Sequence, residues 1–290
     1  MTWEEIVLQI RKDPNYQALV MNAYFDADLR LNVDRFSNSE EFHETIKILS
    51  HYFPNLEEKK VLDLGAGNGI SALSFALTGA QVYASEPDPS DTIGAGAIRE
   101  LESIYKTGRV RVFQDSGENL SFQENFFDIV YVRQALHHAK DICQFVAECT
   151  RVLKSGGLLI TVRDHLVYDE HDKQWFLDNH PLHKFYGGEN AYTLDMYRKS
   201  FTSAGLKIVR TLKHFDSVIN YFPDSSQYVN EIKAKREKYL SDSFKRKFFG
   251  FFENTFIERL YKTRLNIILG PVLDESNIPG RNISFISIKK

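Results

Sequence analysis

The stretch Val61-Leu62-Asp63-Leu64-Gly65-Ala66-Gly67-Asn68-Gly69 decides how the rest of the chain is read. Its first four residues have the apolar character of a short buried strand. The glycines that follow predict a turn in which the backbone can approach a ligand closely. Beyond the turn, Ile70-Ser71-Ala72-Leu73-Ser74-Phe75-Ala76-Leu77 reads as a helix whose first amides would face the same ligand. Glycine turns of this kind occur in many nucleotide sites, so the turn alone does not choose a ligand. Asp63 does: a carboxylate two residues before the first glycine repels a pyrophosphate and attracts a cationic group. The spacing also departs from G-x-G-x-x-G, since the third glycine is Gly69.

Working outward, residues 81–85 read as a second strand with Glu86 and Pro87 at its end. A helix over 95–105 leads to a third strand, 110–113, which ends near Asp115. Residues 127–132 form a fourth strand. A helix over 142–153, with Ile142, Phe145, Val146, Cys149 and Val152 on one stripe, is stopped by Lys154-Ser155-Gly156-Gly157, glycine accepting the left-handed geometry found there. Residues 158–162 are a fifth strand. Such alternation predicts a doubly wound α/β fold with a mostly parallel sheet, whose ligands lie at the carboxyl ends of the strands. Glu86 is then placed to accept bonds from ribose hydroxyls, and Asp115 to meet an adenine amino group.

The flanks read differently. Residues 1–56 are helical, with Trp3, Ile6, Val7 and Ile10, and later Phe42, Ile46 and Leu49, at helical spacing. Residues 166–192 look loop-rich, 193–204 helical and 206–212 extended. A helical, aromatic section covers 227–269, and 283–288 alternate as a strand does. The expected organisation is an N-terminal helical cap (1–56), a core (57–215), a helical insertion (216–280) and a final core strand (281–290).

Composition sets outer limits. The chain has 290 residues, 43% hydrophobic and 26% charged, as suits one globular domain with a sizeable insertion. A formal net charge of -3 gives no global reason to expect nucleic acid as a partner. Cys143 and Cys149 allow neither a disulfide framework nor a Cys-rich zinc site, and both are expected to be buried thiols. No basic start followed by an apolar core opens the chain, and no apolar run is long enough to span a bilayer, which predicts a cytoplasmic protein.

The linked series Val61 to Gly69, Tyr83-Ala84-Ser85-Glu86-Pro87-Asp88, Asp115-Ser116-Gly117-Glu118-Asn119-Leu120, Phe127-Asp128-Ile129-Val130 and Ala135-Leu136-His137-His138-Ala139 resembles the class I S-adenosylmethionine-dependent methyltransferases, in particular the small-molecule branch close to the ubiquinone-type enzymes. Arg151-Val152-Leu153-Lys154-Ser155-Gly156-Gly157 resembles that branch as well, so that the resemblance runs from about residue 58 to 165. It implies a Rossmann-like sheet of seven strands, with 206–212 and 283–288 as an antiparallel pair. S-adenosylmethionine is the implied cofactor, and its ammonium and sulfonium match the charge of Asp63. Gly65, Ala66, Gly67, Asn68 and Gly69 would lie under its methionine part, Glu86 and Pro87 at the ribose, Asp115 and Ser116 near adenine, and Arg133 and Gln134 beside the sulfonium. Arg133 departs in charge from what suits a neighbouring cation, which leaves its side chain to face either the substrate or Asp63.

Methyl transfer to oxygen requires a proton acceptor. His137 and His138 after the fourth strand and His165 after the fifth are the candidates, with His138 and His165 taken as the catalytic pair. His180 and His183 have ligand-capable side chains near Asp164, Asp169 and Asp172 along the chain, but no ligand spacing is recognisable; no metal is expected, a magnesium site being the alternative. The histidines, tyrosines, Glu189 and Asn190 of 180–192 suit a small polar acceptor, a sugar or glycan precursor being one such class; a quinone or lipid-linked acceptor, or a non-catalytic binding module, are the alternatives. The basic and aromatic stretch 231–256 reads as a cap on the sheet domain, with contact to a membrane surface or to nucleic acid as the alternatives. No Asn-Pro-Pro-Tyr type motif follows the fourth strand, which argues against methylation of nucleobase amines.

Overall fold

Strands with apolar side chains on both faces need cover on both sides, and the computed structural model shows how this chain supplies it. The structure describes residues 2–186, 188–248 and 273–290. Its strands are β1 (Lys60–Leu64), β2 (Gln81–Ser85), β3 (Val110–Phe113), β4 (Phe127–Arg133), β5 (Leu153–Val167), β6 (Tyr192–Thr193), β7 (Leu206–Leu212) and β8 (Asn282–Lys289). The sheet runs β3-β2-β1-β4-β5-β8-β7, with the short β6 beside β5. The first five strands are parallel, whereas β8 is antiparallel to both β5 and β7. The seven-stranded doubly wound sheet expected from the sequence is present.

The α-helices are α1 (Trp3–Ile10), α2 (Gln17–Asn22), α3 (Leu29–Ser37), α4 (Glu40–Ser50), α5 (Ile70–Leu77), α6 (Ala95–Tyr105), α7 (Ile142–Val152), α8 (Glu170–Asn179), α9 (His183–Tyr186), α10 (Leu194–Ser203), α11 (Val218–Tyr221) and α12 (Ser226–Phe248). Alternation along each strand splits the core in two. Val61, Val82, Ile129 and Tyr131 face one layer with Phe36, Phe42, Phe75 and Ile98, so α3 and α4 share that side with α5 and α6. Leu62, Leu64, Val130 and Val132 face the other, packed on Val146 and Cys149 of α7 and on Tyr197 and Phe201 of α10. Each buried Leu or Phe here removes on the order of 1.5–3 kcal/mol of apolar surface energy from water.

Four expectations change. β5 begins at Leu153, directly after α7, and runs to Val167, so Gly156-Gly157 lies inside the extended segment and does not end the helix. His165 therefore sits within β5 and not beyond it. The stretch 166–192 is not mainly loop, because Asp169 caps α8 by accepting from the Asp172 amide and two more turns of helix follow. Of the two thiols, Cys149 is buried and Cys143 exposed. The apolar stripe of α7 passes through positions 142, 145, 146, 149 and 152, and Cys143 falls off it.

Two compact units result: Met1–Phe222 with Pro279–Lys290, and Pro223–Ile278. The second contains α12, and residues 249–256 of the basic aromatic stretch lie outside the described residues. Among the described residues no helix is long and apolar enough to cross a membrane.

Candidate active site

The turn after β1 is held by the neighbouring strand. The amides of Gly65 and Ala66 both donate to the Ser85 carbonyl at the end of β2, at 2.9 and 3.2 Å. Gly65, Gly67 and Gly69 all have positive φ, at 71°, 53° and 87°. Their surroundings nevertheless differ. A Cβ on Gly65 would stand 2.5 Å from the Ala135 Cβ, and one on Gly69 3.0 Å from Ile98, so these two glycines permit close packing. At Gly67 the nearest atom would be the Ile93 carbonyl oxygen at 4.0 Å. The space above Gly67 is open, as a ligand cradle requires.

Two acids face this turn. Asp63 is 1% exposed; its Oδ2 accepts from the Ser71 hydroxyl at 2.6 Å, and its buried Oδ1 has no hydrogen-bond partner among the described residues. Burial pushes its carboxyl up to about 7, against the hydrogen bond from Ser71. A buried carboxylate oxygen without a donor is costly, and a cationic ligand would offset that cost. Glu86 reaches back under the turn, with Oε2 accepting from the Gly67 amide at 2.8 Å and Oε1 from the Asp88 amide at 3.0 Å. Each oxygen retains a lone pair, so two adjacent hydroxyls can still donate to it. Pro87 follows as an exposed residue at the rim.

Asp115 and Ser116 stand at the end of the next strand. The Ser85 hydroxyl donates to the Asp115 carbonyl at 3.2 Å, while Asp115 Oδ2 accepts from the Ser121 amide and hydroxyl at 3.0 and 2.6 Å. Asp115 thus shapes its own loop and keeps Oδ1 for other contacts. Asn68 turns inward, its amide nitrogen donating to the Tyr24 carbonyl at 2.7 Å, and so ties the turn to the N-terminal helices.

The Arg133 side chain is paired with Glu41, while its charge is still felt at Asp63. Its guanidinium makes a two-point pair with Glu41 of α4, Nε to Oε1 at 2.7 Å and Nη2 to Oε2 at 3.1 Å, and lies over the rings of Phe36 and Tyr24. Glu41 is fully buried and also lies 3.4 Å from Arg163 of β5. One carboxylate therefore serves two guanidiniums, which explains how cations come to lie near a site built for a cation. Arg163 holds a left-handed φ of 61° at the irregularity where β5 and β8 shift register, between Thr161 and Asp164. Gln134, also left-handed at 50°, donates its amide to the Val162 carbonyl and turns the chain out of β4.

Beyond that turn lies a group of histidines. His137 donates from both its backbone amide and Nδ1 to Asp164 Oδ1, at 3.1 and 3.0 Å. Burial opposes a charge on this ring, but the bonds to Asp164 and Glu189 prevail and raise it to about 9. His138 bonds through Nδ1 to the Gly188 carbonyl at 3.1 Å, and His165 through Nδ1 to the Gly280 carbonyl at 2.8 Å. A carbonyl only accepts, so both rings carry their proton on Nδ1 and leave Nε2 as a lone pair. Burial and the charge of His137 keep both neutral, His138 lowered to about 4 and His165 well below the ordinary value. His138 has 38% of its side chain exposed, whereas His165 lies on the floor against Phe176. Glu189 stands over the group, 3.6 Å from His137, 3.9 Å from His138 and 3.8 Å from His180, and the histidines hold its carboxyl below the usual range.

The structure thus gathers Asp63, Gly65, Gly67, Gly69 and Glu86 around one turn, and His137, His138 and His165 at the ends of the adjoining strands. Sequence reasoning did not find Glu41, Asp164 as the partner of His137, or Arg163. No local spacing marks them, since each meets its partner only through the sheet.

Residues 62–161 match the family described as Methyltransferase domain. The uncharacterized methyltransferase YcgJ of Bacillus subtilis (strain 168) is 35% identical over 115 residues, which cover 37% of this chain and 41% of that protein. The glycine/sarcosine/dimethylglycine N-methyltransferase of Actinopolyspora halophila is 30% identical over 189 residues, covering 63% of this chain and 31% of its own length. The chain therefore spans less than half the length of these curated relatives. Among solved structures, YcgJ superposes with a TM-score of 0.51 at 20% identity, covering 86% of this chain and 99% of its own. Geranyl diphosphate methyltransferase in complex with S-adenosylmethionine does so at 0.55 and 13%, covering 86% and 85%. At these identities the superpositions speak for the fold.

Proposed function

We propose, from the premise that this chain belongs to the class I S-adenosylmethionine-dependent methyltransferases, that it transfers the donor's methyl group to a hydroxyl of a small polar acceptor, a sugar or glycan precursor being the class its side chains fit. The observation that carries this reading is the buried Asp63 carboxylate, one oxygen unpartnered, beside the open space above Gly67. S-adenosylmethionine supplies an activated methyl on a sulfonium. Asp63 attracts the cationic methionine end, Gly67 admits it against bare backbone, Glu86 accepts from ribose hydroxyls, and the loop of Asp115 and Ser116 borders adenine. Glu41 neutralises Arg133 and keeps its charge off the donor.

On the acceptor side, the exposed, neutral His138 is suited to take a proton on Nε2 from a hydroxyl, its Nδ1 already anchored by Gly188. His165 offers a second neutral Nε2 from the floor. Holding acceptor and donor in line supplies much of the rate of such a displacement. Polar groups from His138 to Glu189 favour a hydroxylated acceptor over a greasy quinone.

Calorimetry with S-adenosylmethionine and with its demethylated product tests the donor site. Micromolar binding of both is expected; no heat with either at high micromolar concentration would overturn the reading. Labelled methyl transfer to a panel of hydroxylated acceptors, set against quinols, tests the acceptor class.

A pH dependence follows from Asp63. Its carboxyl is raised to about 7 in the ligand-free protein, and only the ionised form attracts the donor. Affinity should weaken as pH falls through 7, by about thirtyfold between pH 8 and pH 5.5. Stability of the ligand-free protein runs the other way. The folded state holds this proton more tightly than the unfolded chain, so Asp63 costs stability as pH rises from about 4 to 7. Asp63→Asn should raise the melting temperature at pH 8 without ligand while weakening donor binding. A flat affinity profile in the parent protein would contradict this assignment.

A further inference from the structure

Four imidazoles and two carboxylates converge where one proton acceptor would suffice. His137 and His165 have ring centroids 4.6 Å apart, His165 and His180 5.3 Å. His137 Nδ1 is committed to Asp164 and His165 Nδ1 to the Gly280 carbonyl, which leaves the Nε2 of each ring facing the group, that of His137 3.6 Å from Glu189 Oε2. A ring nitrogen fixed by a carboxylate or a carbonyl, with the other nitrogen free, is the arrangement that orients metal-ligating histidines. Glu189 closes the third side: one donor atom from each of His137, His165 and Glu189 lies within 4.8 Å of the other two. All three residues are buried.

Charge supports the same reading. Asp164 and Glu189 bring two buried carboxylates to the group, and a divalent ion would balance both. Two imidazole nitrogens and one carboxylate oxygen suit zinc and its neighbours in the first transition row, whereas magnesium prefers an all-oxygen shell. Donors around a tetrahedral ion with bonds of about 2.0–2.1 Å stand roughly 3.3 Å apart, so the three side chains need close by up to about 1.5 Å.

We infer that His137 Nε2, His165 Nε2 and the Glu189 carboxylate form a binding site for one divalent transition-metal ion of the zinc type. Three protein ligands leave a coordination position open. An acceptor hydroxyl bound there would be acidified and presented toward His138, whose Nε2 lies 3.9 Å from Glu189. Asp164 is a positioning residue that holds the tautomer of His137. The ligands come from β5 and from the segments after β4 and before β6, which is why no spacing in the sequence announces them.

The site itself does not rest on methyl transfer, and its test reads it separately. Protein stripped with a chelator and freed of it is titrated with zinc chloride by calorimetry, and with cobalt(II) followed by visible absorption. One equivalent of zinc is expected to bind with a Kd below about 10 µM, and cobalt to give the visible bands of an ordered low-coordinate site. Glu189→Gln and His165→Asn should each weaken zinc at least 100-fold, Asp164→Asn by 10- to 100-fold, and the exposed control His51→Ala not at all. Should these variants fail to fold, the cobalt spectrum of the parent protein decides alone. Zinc binding weaker than about 10 µM, zinc affinity unchanged in Glu189→Gln, or cobalt bound without visible bands would each overturn the assignment. S-adenosylmethionine titrated into the same metal-free protein reports on the donor site, so a failure of the metal site and a failure of the methyltransferase reading are told apart.

Discussion

Gly67→Leu is expected to abolish S-adenosylmethionine binding, a loss of at least 100-fold, in a protein that still folds. The side chain at this position would project into the open space proposed for the donor, since among the described residues no atom lies nearer than 4.0 Å to a built Cβ. A left-handed φ of 53° in a non-glycine residue costs about 1–2 kcal/mol, which a domain of ordinary stability survives with a lowered melting temperature. Gly65→Ala provides the contrast. Its Cβ would meet the Ala135 Cβ at 2.5 Å, forcing β1 and the turn after β4 apart, so the main loss there is in stability. Calorimetry and thermal melting on the two variants separate the effects. If Gly67→Leu retained donor affinity within a few fold, the donor could not lie against this turn.

Glu41→Gln should be the most destabilising single change near the site. It removes the counter-charge from Arg133, with its two-point pair, and from Arg163 at 3.4 Å, leaving two buried guanidiniums facing each other's charge. Breaking one side of a buried ion pair costs about 3–5 kcal/mol. At about 2–4 °C per kcal/mol for a domain of this size, the melting temperature should fall by roughly 6–20 °C. Removing Arg133 together with Glu41, as the double change to Met and Gln, should recover part of the loss, because one stranded charge disappears. A fall of less than 2 °C in Glu41→Gln would mean that Glu41 is not the common counter-ion.

How far the sequence discloses this architecture depends on the range over which its signals act. Strand and helix periodicity is local, and the turn at 65–69 is written in nine consecutive residues, so the α/β class and the glycine turn were legible. Asp63 stood out for the same reason, its expected role following from charge and position on one strand. Glu41 and Arg133 are 92 residues apart, and His137 and Asp164 are 27 apart. Their pairings arise only when the helical layer meets the sheet, and a lone Glu on an amphipathic helix looks like any solvated acid. The early start of β5 was hidden by Gly156-Gly157, which resembles a helix stop, and its reach to Val167 by the polar run Arg163-Asp164-His165. The second misreading moved His165 from a loop beyond the strand to the floor of the site.

The place of β8 between β5 and β7 has a consequence for synthesis. About 70 residues separate Leu212, the end of β7, from Asn282, the start of β8. Through the interval in which the ribosome adds them, roughly 4–14 s at ordinary elongation rates, the slot that β8 will fill stays vacant and two rows of backbone donors and acceptors lack their partner. The turn after β1 is therefore synthesised well before the sheet can close, and until then the open slot exposes the kind of unpaired edge that other chains can pair with.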